Sequence, residues 1–448
     1  MTDLADVAHR LARSHGVTNF QLAARIRGRD YSAAAGPSSG LESAPVDNES
    51  AYPIGSVTKA VTATAIMVLV QEGDLELDEP LADILPELRS ASWPALGAVT
   101  VERVLSHTAG FASSVTIDDA RATDRARWIS TYARHHDLAL VPGTAFSYSN
   151  IGYVLAGRVL EAVTGMPWHI AVTELVLRPV GVKPGFVLHE STRPTVSGHV
   201  TTNSGRTVPI TTTSLIGVEE PAGGLTASAQ DMVRIAEAAF IGNGHDLLDA
   251  ATRASLCRDR TGDSITGPFG LADGWGMGWA RYENGDATSV WMGHDGNSEG
   301  TSSHIRINPV TGDVVALNTG SSSGTQMWAD LITEQTVAGM PHSGTSLAPS
   351  RGPRAHPRAS AECVGVFRNG GDTVTVAARD DGRLDLGLTG EDRVLIELWE
   401  DLTFLLDRES DGRTGPGDRG RFLRSASSKI THVQFSGRLA ARTAEWIR

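Results

Sequence analysis

The chain has 448 residues, of which 40% are hydrophobic and 20% charged. This composition is typical of a globular protein and excludes a fibrous or intrinsically disordered chain. The length suffices for one large domain and a smaller second one, because domains usually run to about 100–200 residues. The net charge of −13 argues against a nucleic-acid partner, since phosphate binding requires clustered Lys and Arg.

The first half of the chain predicts a helix, two strands and a second, buried helix. Apolar side chains recur on one face of residues 3–14. Residues 20–36 alternate like strands around a turn at Arg27-Gly28-Arg29. A helix that is apolar on most of its faces opens at Ser56 and is expected to end at the C-cap Gly73.

The second half changes composition twice. Helices and loops are expected to continue to about residue 290, followed by antiparallel strands to residue 320 and a helix over 325–340. Residues 341–360 are rich in Pro, Ser and Arg without periodicity, which indicates a linker. Short strands between Asp-Gly and Gly-Glu turns predict a small all-β domain, a sheet or a barrel, over residues 361–448. Residues 1–340 then form the catalytic domain.

The sequence predicts neither export nor a membrane anchor. The N-terminal stretch has early acidic residues and lacks the apolar core of a signal peptide. The longest apolar run, residues 65–70, is much shorter than the roughly 20 apolar residues of a membrane span. We expect a cytoplasmic protein, in which Cys257 and Cys363 form no structural disulfide.

The first of three candidate catalytic motifs is Ser56-Val57-Thr58-Lys59. A three-residue spacing on a helix places Ser56 and Lys59 on one face, about one turn apart. The serine also lies at the positive end of the helix dipole, and the lysine is the base or cation that a hydroxyl needs to become a nucleophile. Taken alone, an N-cap serine and a lysine that reaches solvent would explain the same pattern.

The second motif is Tyr148-Ser149-Asn150, just before an expected helix. Tyr148 can transfer protons if its pKa is lowered from about 10, and a nearby Lys59 ammonium would have that effect. A packed tyrosine and a helix-capping Asn150 are the alternative. The third motif is Gly293-His294-Asp295-Gly296, where glycines allow a strand edge to approach a substrate and offer an N–H to an oxyanion. A surface or capping histidine is the alternative there.

In order and spacing, these motifs resemble the S-x-x-K, Y-x-N and K-T-G or H-x-G elements of penicillin-binding protein and class C β-lactamase-like serine hydrolases. The resemblance extends over about residues 15–335. Four further segments look like the same family: GDLELDEPLADILPEL (73–88), VLSHTAGF (104–111), PGTAFSYSNIGYVLAG (142–157) and PAGGLTASAQDM (221–232).

The resemblance implies an α/β sandwich, in which an antiparallel sheet is flanked by helices, plus an all-helical region carrying Tyr148. It implies that Ser56 attacks an acyl carbonyl while Lys59 and Tyr148 transfer protons. Asn150 would hold Lys59 and contact the substrate amide. The implied oxyanion and substrate-binding set comprises the N–H groups of Ser56 and Asn297 together with Gly293, Asp295 and Gly296, beside His294.

The chain departs from the β-lactamases and cell-wall peptidases of that family. Its third motif has His294 where they carry a lysine, and a histidine near pH 7 is mostly neutral, which weakens the anchor for a substrate carboxylate. Similar H-x-G triplets occur in D-aminopeptidases, some esterases and thioesterases of the penicillin-binding protein type that cyclise nonribosomal peptides. The D-aminopeptidases and the peptide cyclases also carry lipocalin-like β domains, which residues 361–448 resemble.

We therefore expect a serine hydrolase or acyltransferase that acts on a cytoplasmic peptide, ester or thioester, free or bound to a carrier protein. A thioesterase or peptide cyclase of the penicillin-binding protein type, or a D-amino-acid-specific peptidase, fits best. The alternatives are a carboxylesterase of small esters, a β-lactamase and a non-catalytic peptide-binding homologue. We expect no cofactor, metal, nucleic-acid or membrane partner, and the sequence leaves the oligomeric state open.

Two other patterns imitate functional sites. Ser322 stands in a G-x-S-x-G pattern, but the alternating strands and helices that an α/β-hydrolase needs are missing around it. His135-His136-Asp137 has no second ligand pair at zinc spacing.

His107 is expected to be structural. Residues 361–448 are expected to cover the site, with stabilisation or dimerisation as the alternative role.

Overall fold

The structure is a computed structural model, and it describes residues 4–39, 43–89, 93, 95–115, 123–202, 206–242, 246–262, 266–283, 289–334, 361–389, 393–407 and 419–443. The expected linker, residues 341–360, lies outside these ranges. The described residues form a seven-stranded sheet with flanking helices and a closed eight-stranded barrel. None of the helices described is long and apolar enough to cross a bilayer.

The strands before the barrel are short except at the two ends of this region. In chain order they are β1 (Phe20–Ile26), β2 (Arg29–Ala35), β3 (Tyr52–Pro53), β4 (His199–Thr201), β5 (Thr207–Pro209), β6 (Thr226–Ala227), β7 (Gly274–Trp275), β8 (Ala280–Tyr282), β9 (Trp291–Ser298), β10 (Thr301–Ile307) and β11 (Val314–Thr319). Seven of them form one antiparallel sheet in the order β2-β1-β11-β10-β9-β8-β7.

The helices cover both faces of this sheet. They are α1 (Leu4–Ser14), α2 (Val57–Glu72), α3 (Leu81–Ile84), α4 (Val101–Leu105), α5 (Arg125–His135), α6 (Asn150–Thr164), α7 (Trp168–Val172), α8 (Glu220–Gly223), α9 (Ala229–Phe240), α10 (Ala250–Cys257) and α11 (Gly324–Thr333). Helices α1 and α11 pack on one face, and α2 and α9 pack on the other. Around α6, the helices α3 to α8 form the expected all-helical region.

Helix α2 is buried along most of its length, as its apolar sequence predicts. Every residue from Val57 to Leu69 is buried. Buried hydroxyls need partners, and the threonines of this helix find them: Thr62 Oγ1 donates to Pro221 O at 2.9 Å, and Thr64 Oγ1 donates to Ala60 O at 2.8 Å. The helix ends at Gly73, whose φ of 82° is the left-handed C-cap expected of a glycine.

Two expectations for the chain between the motifs need correction. Residues 74–290 were expected to hold only helices and loops, yet strands β4 to β8 lie there. Each has two or three residues, which is too short for the period-two pattern that reveals a strand in sequence. The last helix of this region was expected over 325–340, but α11 begins at Gly324 and ends at Thr333.

The C-terminal part is a barrel, which confirms the predicted all-β domain. Its strands are β12 (Gly365–Asn369), β13 (Asp372–Ala378), β14 (Leu384–Leu388), β15 (Val394–Leu398), β16 (Thr403–Leu406), β17 (Arg419–Arg424), β18 (Ile430–Phe435) and β19 (Arg438–Arg442). Each strand pairs with the next in antiparallel fashion, and β19 closes the barrel on β12. Alternating apolar side chains such as Val374 and Val376 fill its interior.

Candidate active site

Ser56 and Lys59 meet at the start of α2. Lys59 Nζ donates to Ser56 Oγ at 3.1 Å and to the carbonyl oxygen of Ala222 at 2.8 Å. Only 1% of Lys59 is exposed. Burial holds the pKa of its amine well below the usual value, and the charge of Arg438 acts in the same direction while Glu219 opposes it. A buried amine of this kind loses its proton easily and can accept the hydroxyl proton of Ser56.

Tyr148 lies over this pair, and its pKa shifts in the opposite direction. Lys59 Nζ is 5.0 Å from the centroid of its ring. Burial raises the pKa of the phenol to about 12, although the Ser56 hydroxyl and Arg438 oppose the shift. The expectation that a Lys59 ammonium lowers this pKa is therefore wrong, because desolvation of the phenolate outweighs the nearby charges. Tyr148 Oη has no hydrogen-bond partner among the described residues.

His107 packs against the ring of Tyr148 and is hydrogen-bonded to the next residue of that segment. It is 2% exposed, has a φ of 57°, and its ring centroid lies 4.4 Å from that of Tyr148. Its Nδ1 accepts a hydrogen bond from the backbone N–H of Ser149 at 3.1 Å. The structural role expected for His107 thus has a specific content, since its ring and its nitrogen fix the segment that carries the tyrosine.

His294 lies on β9 and faces Tyr148. It is 2% exposed, and the two ring centroids are 6.2 Å apart. Its Nδ1 lies 2.7 Å from the carbonyl oxygen of Asp295, so this nitrogen carries the proton and donates. Burial and the nearby Lys59 lower the imidazole pKa to about 3. His294 is accordingly neutral near pH 7, as its sequence context suggested.

The backbones of strand β9 and the start of α2 lie so close together that no side chain fits between them. A Cβ atom added to Gly296 would overlap the carbonyl oxygen of Ile54 and lie 2.9 Å from the nitrogen of Ser56. A Cβ atom on Gly55 would overlap the backbone of Asn297 in the same way. The N–H groups of Ser56 and Asn297 therefore belong to adjacent segments, which is the arrangement that an oxyanion hole requires.

Gly293 and Asp295 do not line this site. Side chains alternate along a strand, and the Asp295 carboxylate points to the opposite face of the sheet. There it accepts hydrogen bonds from His304 Nδ1 at 2.8 Å and from both terminal nitrogens of Arg306 at 2.9 Å. The missing side chain of Gly293 leaves space for the Arg306 side chain on that face. Both residues shape the strand and do not contact the reaction centre.

Asn150 is the first residue of α6, and its backbone N–H donates to Ser113 O at 2.9 Å. The helix cap is Ser149, whose Oγ accepts from the N–H of Gly152 at 3.0 Å. Lys59 directs its described hydrogen bonds to Ser56 and Ala222, and none of them goes to Asn150. The Asn150 side chain instead borders two cavities.

The catalytic cavity has a volume of about 390 Å3 and opens at the nucleophile; its lining comprises Gly55, Ser56, Asn150, Ser214, Leu215, Glu219, Ala222, Gly223, Asn297, Ser298 and Glu299. The interdomain cavity has a volume of about 440 Å3 and lies between the helical region and the barrel; its lining comprises Ser113, Ser114, Asn150, Asn369, Asp372, Thr373, Val374, Leu388, Thr389, Phe435, Ser436, Arg438 and Ala440. Asn150 is common to both.

One turn of the barrel, between β12 and β13, is hydrogen-bonded to the Tyr148 segment through Asn369. Its Oδ1 accepts from the N–H of Ser113 at 2.7 Å. Its Nδ2 donates to Ser147 Oγ at 3.0 Å and to Leu439 O at 2.8 Å. This buried amide therefore joins a loop, the tyrosine segment and the barrel.

A second turn, between β18 and β19, contacts the tyrosine directly. The Tyr148 N–H donates to Gly437 O at 3.0 Å, and the Gly437 N–H donates to Phe269 O at 3.2 Å. The guanidinium carbon of Arg438 lies 5.1 Å from the centroid of the Tyr148 ring. Sequence reasoning missed Asn369 and Arg438, because nothing in their local sequence indicates contact with a motif more than 200 residues earlier.

Comparison with known proteins agrees with this geometry. The sequence profile of the family described as Beta-lactamase matches residues 4–340. Penicillin-binding protein 4 of Amycolatopsis lactamdurans is 32% identical over 334 residues, which cover 72% of this chain and 86% of that protein. The esterase EstB of Burkholderia gladioli is 28% identical over 283 residues, which cover 52% of this chain and 67% of that protein.

The resemblance to one solved structure includes the barrel. The crystal structure of SurE superposes with a TM-score of 0.82 at 32% identity and covers 98% of both chains. A second structure, SurE with D-Leu, gives a TM-score of 0.80 at the same identity and coverage. With Lys59 hydrogen-bonded to Ser56 beside the ring of Tyr148, and the family profile matched over three quarters of its length, this chain belongs to the β-lactamase family of serine hydrolases.

Proposed function

We propose that the protein transfers acyl groups through an ester formed on Ser56. The observation that carries this proposal is the hydrogen bond from Lys59 Nζ to Ser56 Oγ at 3.1 Å, beneath the buried phenol of Tyr148. Environments that move the pKa values of two groups apart assign the base and the acid. Here burial lowers the pKa of Lys59, which favours its neutral amine, and raises that of Tyr148 to about 12, which favours its protonated phenol.

In the acylation step, Ser56 Oγ adds to the acyl carbonyl carbon as its proton passes to Lys59. The carbonyl electron pair moves to oxygen, and the N–H groups of Ser56 and Asn297 stabilise the resulting charge. When the C–O, C–S or C–N bond to the leaving group breaks, the leaving group takes the proton of Tyr148, and the Lys59 ammonium reprotonates the tyrosinate. Water or an amine then attacks the ester by the reverse sequence.

The acyl donor that we favour is a peptidyl ester, thioester or amide that contains a D-amino acid. A relative that covers 98% of this chain was solved with D-Leu. Arg438 also places a cation over Tyr148, beside a third motif whose neutral His294 provides none. This charge suits a substrate that carries a free carboxylate.

A second candidate is a carboxylesterase of small esters, which the similarity to EstB supports. Both candidates share the ester on Ser56 and differ in the donor and the acceptor. A panel of donors therefore separates them: p-nitrophenyl esters, D-amino-acid amides, nitrocefin and a peptidyl N-acetylcysteamine thioester, with product analysis in the presence and absence of an amine.

The nucleophile is tested by intact-mass analysis after reaction with a fluorophosphonate. We expect one adduct on the wild-type protein, none on Ser56→Ala and one on Ser322→Ala. Ser322 is a matched control because it is an exposed serine in the G-x-S-x-G pattern, remote from Lys59. Equal rates of ester hydrolysis by the wild-type protein and Ser56→Ala, at matched purity, would exclude the proposal.

A further inference from the structure

The acylation chemistry accounts for only part of the interdomain cavity: Asn150 also lines the catalytic cavity and Arg438 lies over Tyr148, while the other lining residues have no role in it. We propose that it is a substrate subsite, which binds an apolar side chain of the acyl donor together with a neighbouring amide. This inference rests on the proposed function, because it assumes a donor that is attached to Ser56.

The barrel supplies the apolar wall of this cavity. Val374 on β13, Leu388 on β14, and Phe435 and Ala440 on β18 and β19 all line it. Three of them are at least nine-tenths buried in the barrel core, while Leu388 is only partly buried. Burial of a side chain of leucine or phenylalanine size against such a wall contributes roughly 1.5–3 kcal/mol. The cavity therefore favours a large apolar side chain over glycine.

The catalytic domain supplies a buried hydroxyl that makes no described hydrogen bond. Ser113 is 2% exposed, lines the cavity, and its Oγ has no hydrogen-bond partner among the described residues. Of the neighbouring polar residues, Asp372 accepts from Ser114 Oγ at 2.9 Å and Asn369 makes three hydrogen bonds, while Arg438 also lines the cavity. A buried hydroxyl without a partner is costly. A donor with an amide beside its apolar side chain would satisfy it.

The position of Asn150 indicates that the interdomain cavity binds the acyl donor rather than the acceptor. A donor held on Ser56 occupies the catalytic cavity and can leave it past Asn150, the one residue that lines both cavities. The acceptor must instead reach Tyr148, which removes its proton. A donor that extends past Asn150 places its side chain against Leu388 and its amide near Ser113.

The test compares N-acetylaminoacyl p-nitrophenyl esters of glycine, leucine and phenylalanine, with both enantiomers of the last two. For the wild-type protein we expect kcat/KM at least about tenfold higher for the faster leucine or phenylalanine enantiomer than for glycine, the smaller gain expected from burying such a side chain. Leu388→Trp fills the cavity and should reduce this leucine-to-glycine ratio at least about tenfold. Leu388→Ala enlarges the cavity and should shift the preference from leucine towards phenylalanine.

Val394→Trp is the matched control, because Val394 is also a partly buried residue at the edge of the barrel core but does not line the cavity. Val394→Trp should leave the kcat/KM ratios of leucine to glycine, phenylalanine to glycine and phenylalanine to leucine as in the wild-type protein. A wild-type enzyme that does not distinguish glycine from leucine would overturn the inference, and so would a Leu388→Trp variant with unchanged ratios. Fluorophosphonate labelling of Ser56 separates the two proposals, since labelling with unchanged ratios refutes the subsite alone, and absent labelling refutes the proposed function.

Discussion

At the scale of single residues, one physical cause produces the opposite behaviour of the amine and the phenol. Removing a charge from water disfavours the charged form of any group. The charged form of Lys59 is protonated and that of Tyr148 is deprotonated, so burial lowers the first pKa and raises the second. The base and the acid therefore need no special pairing beyond a shared dry environment.

Arg438 should set the pH at which the enzyme becomes active. Its positive charge helps to lower the pKa of Lys59, so its removal should raise that pKa. Because Lys59 must be deprotonated to act, the acid limb of kcat/KM should move to higher pH in Arg438→Gln. The measurement is a pH profile with a p-nitrophenyl ester. Arg383→Gln, an exposed barrel arginine paired with Asp381, is the control, and an unshifted limb in Arg438→Gln would contradict the assignment.

Lys59 and Tyr148 should act as one unit. Lys59→Ala and Tyr148→Phe are each expected to lower kcat at least about 100-fold, the usual scale of positioned acid–base catalysis. The double variant should be little worse than either single variant, because each residue depends on the other to complete the proton transfer. Losses that simply multiply would show that the two residues act independently.

The sequence predicted the site residues that belong to local motifs. It did not predict contacts that depend on how strands pair in the folded chain. Ser56, Lys59, Tyr148 and His294 lie together because each motif sits at the end or edge of a predictable element. Asp295 was assigned to the substrate site, but the alternation along β9 places it on the opposite face. The pairing of Asp295 with Arg306 could have been predicted only from the register between β9 and β10.

At the scale of elements, the ion pair between Asp295 on β9 and the buried Arg306 on β10 should determine how firmly β9 is held. Arg306 is completely buried, and its main acidic partner is Asp295. Asp295→Ala removes this carboxylate from a buried cation and should cost about 3–5 kcal/mol of unfolding free energy. Urea unfolding measures the loss. Asp381→Ala breaks the exposed pair with Arg383 and should cost at most about 1 kcal/mol, and equal losses would contradict the prediction.

Element length decides what could be predicted at this scale. Helix α2 and strands β9 to β11 are long enough to show their period in the sequence. Strands β7 and β8 have two and three residues, and they are identified only by their pairing at the sheet edge. The predicted barrel turns were the Asp-Gly and Gly-Glu pairs, whereas the turns that contact the tyrosine segment lie between β12 and β13 and between β18 and β19.

At the scale of the whole molecule, the barrel is joined to the catalytic residues and does more than cover them. Asn369→Leu keeps the approximate size of the side chain and removes three hydrogen bonds, one to Ser147 next to Tyr148 and the others to Ser113 and Leu439. We expect at least about a tenfold slower fluorophosphonate labelling of Ser56, because small displacements of catalytic groups are costly. Fluorescence-monitored unfolding is measured in parallel.

Asn308→Leu provides the control for this experiment. Asn308 is also buried and caps the distant turn between β10 and β11 through the N–H groups of Val310 and Thr311. The Asn308→Leu variant should be less stable than the wild-type protein, while fluorophosphonate should label its Ser56 at the wild-type rate. If Asn369→Leu labels as fast as Asn308→Leu at the same stability, the barrel is only a cover, as the sequence alone suggested.

The contact between Ser147 and Leu439 joins positions 292 residues apart. A ribosome adds residues from the N-terminus, so Ser56, Lys59 and Tyr148 all emerge long before the strands that fix the tyrosine. A growing chain therefore carries its nucleophile without a finished proton donor. Premature termination before β18 leaves a polypeptide that lacks Gly437 and Arg438. If the proposed acyl transfer requires the tyrosine to be held in this position, it becomes available only once translation has passed through the last hairpin of the barrel.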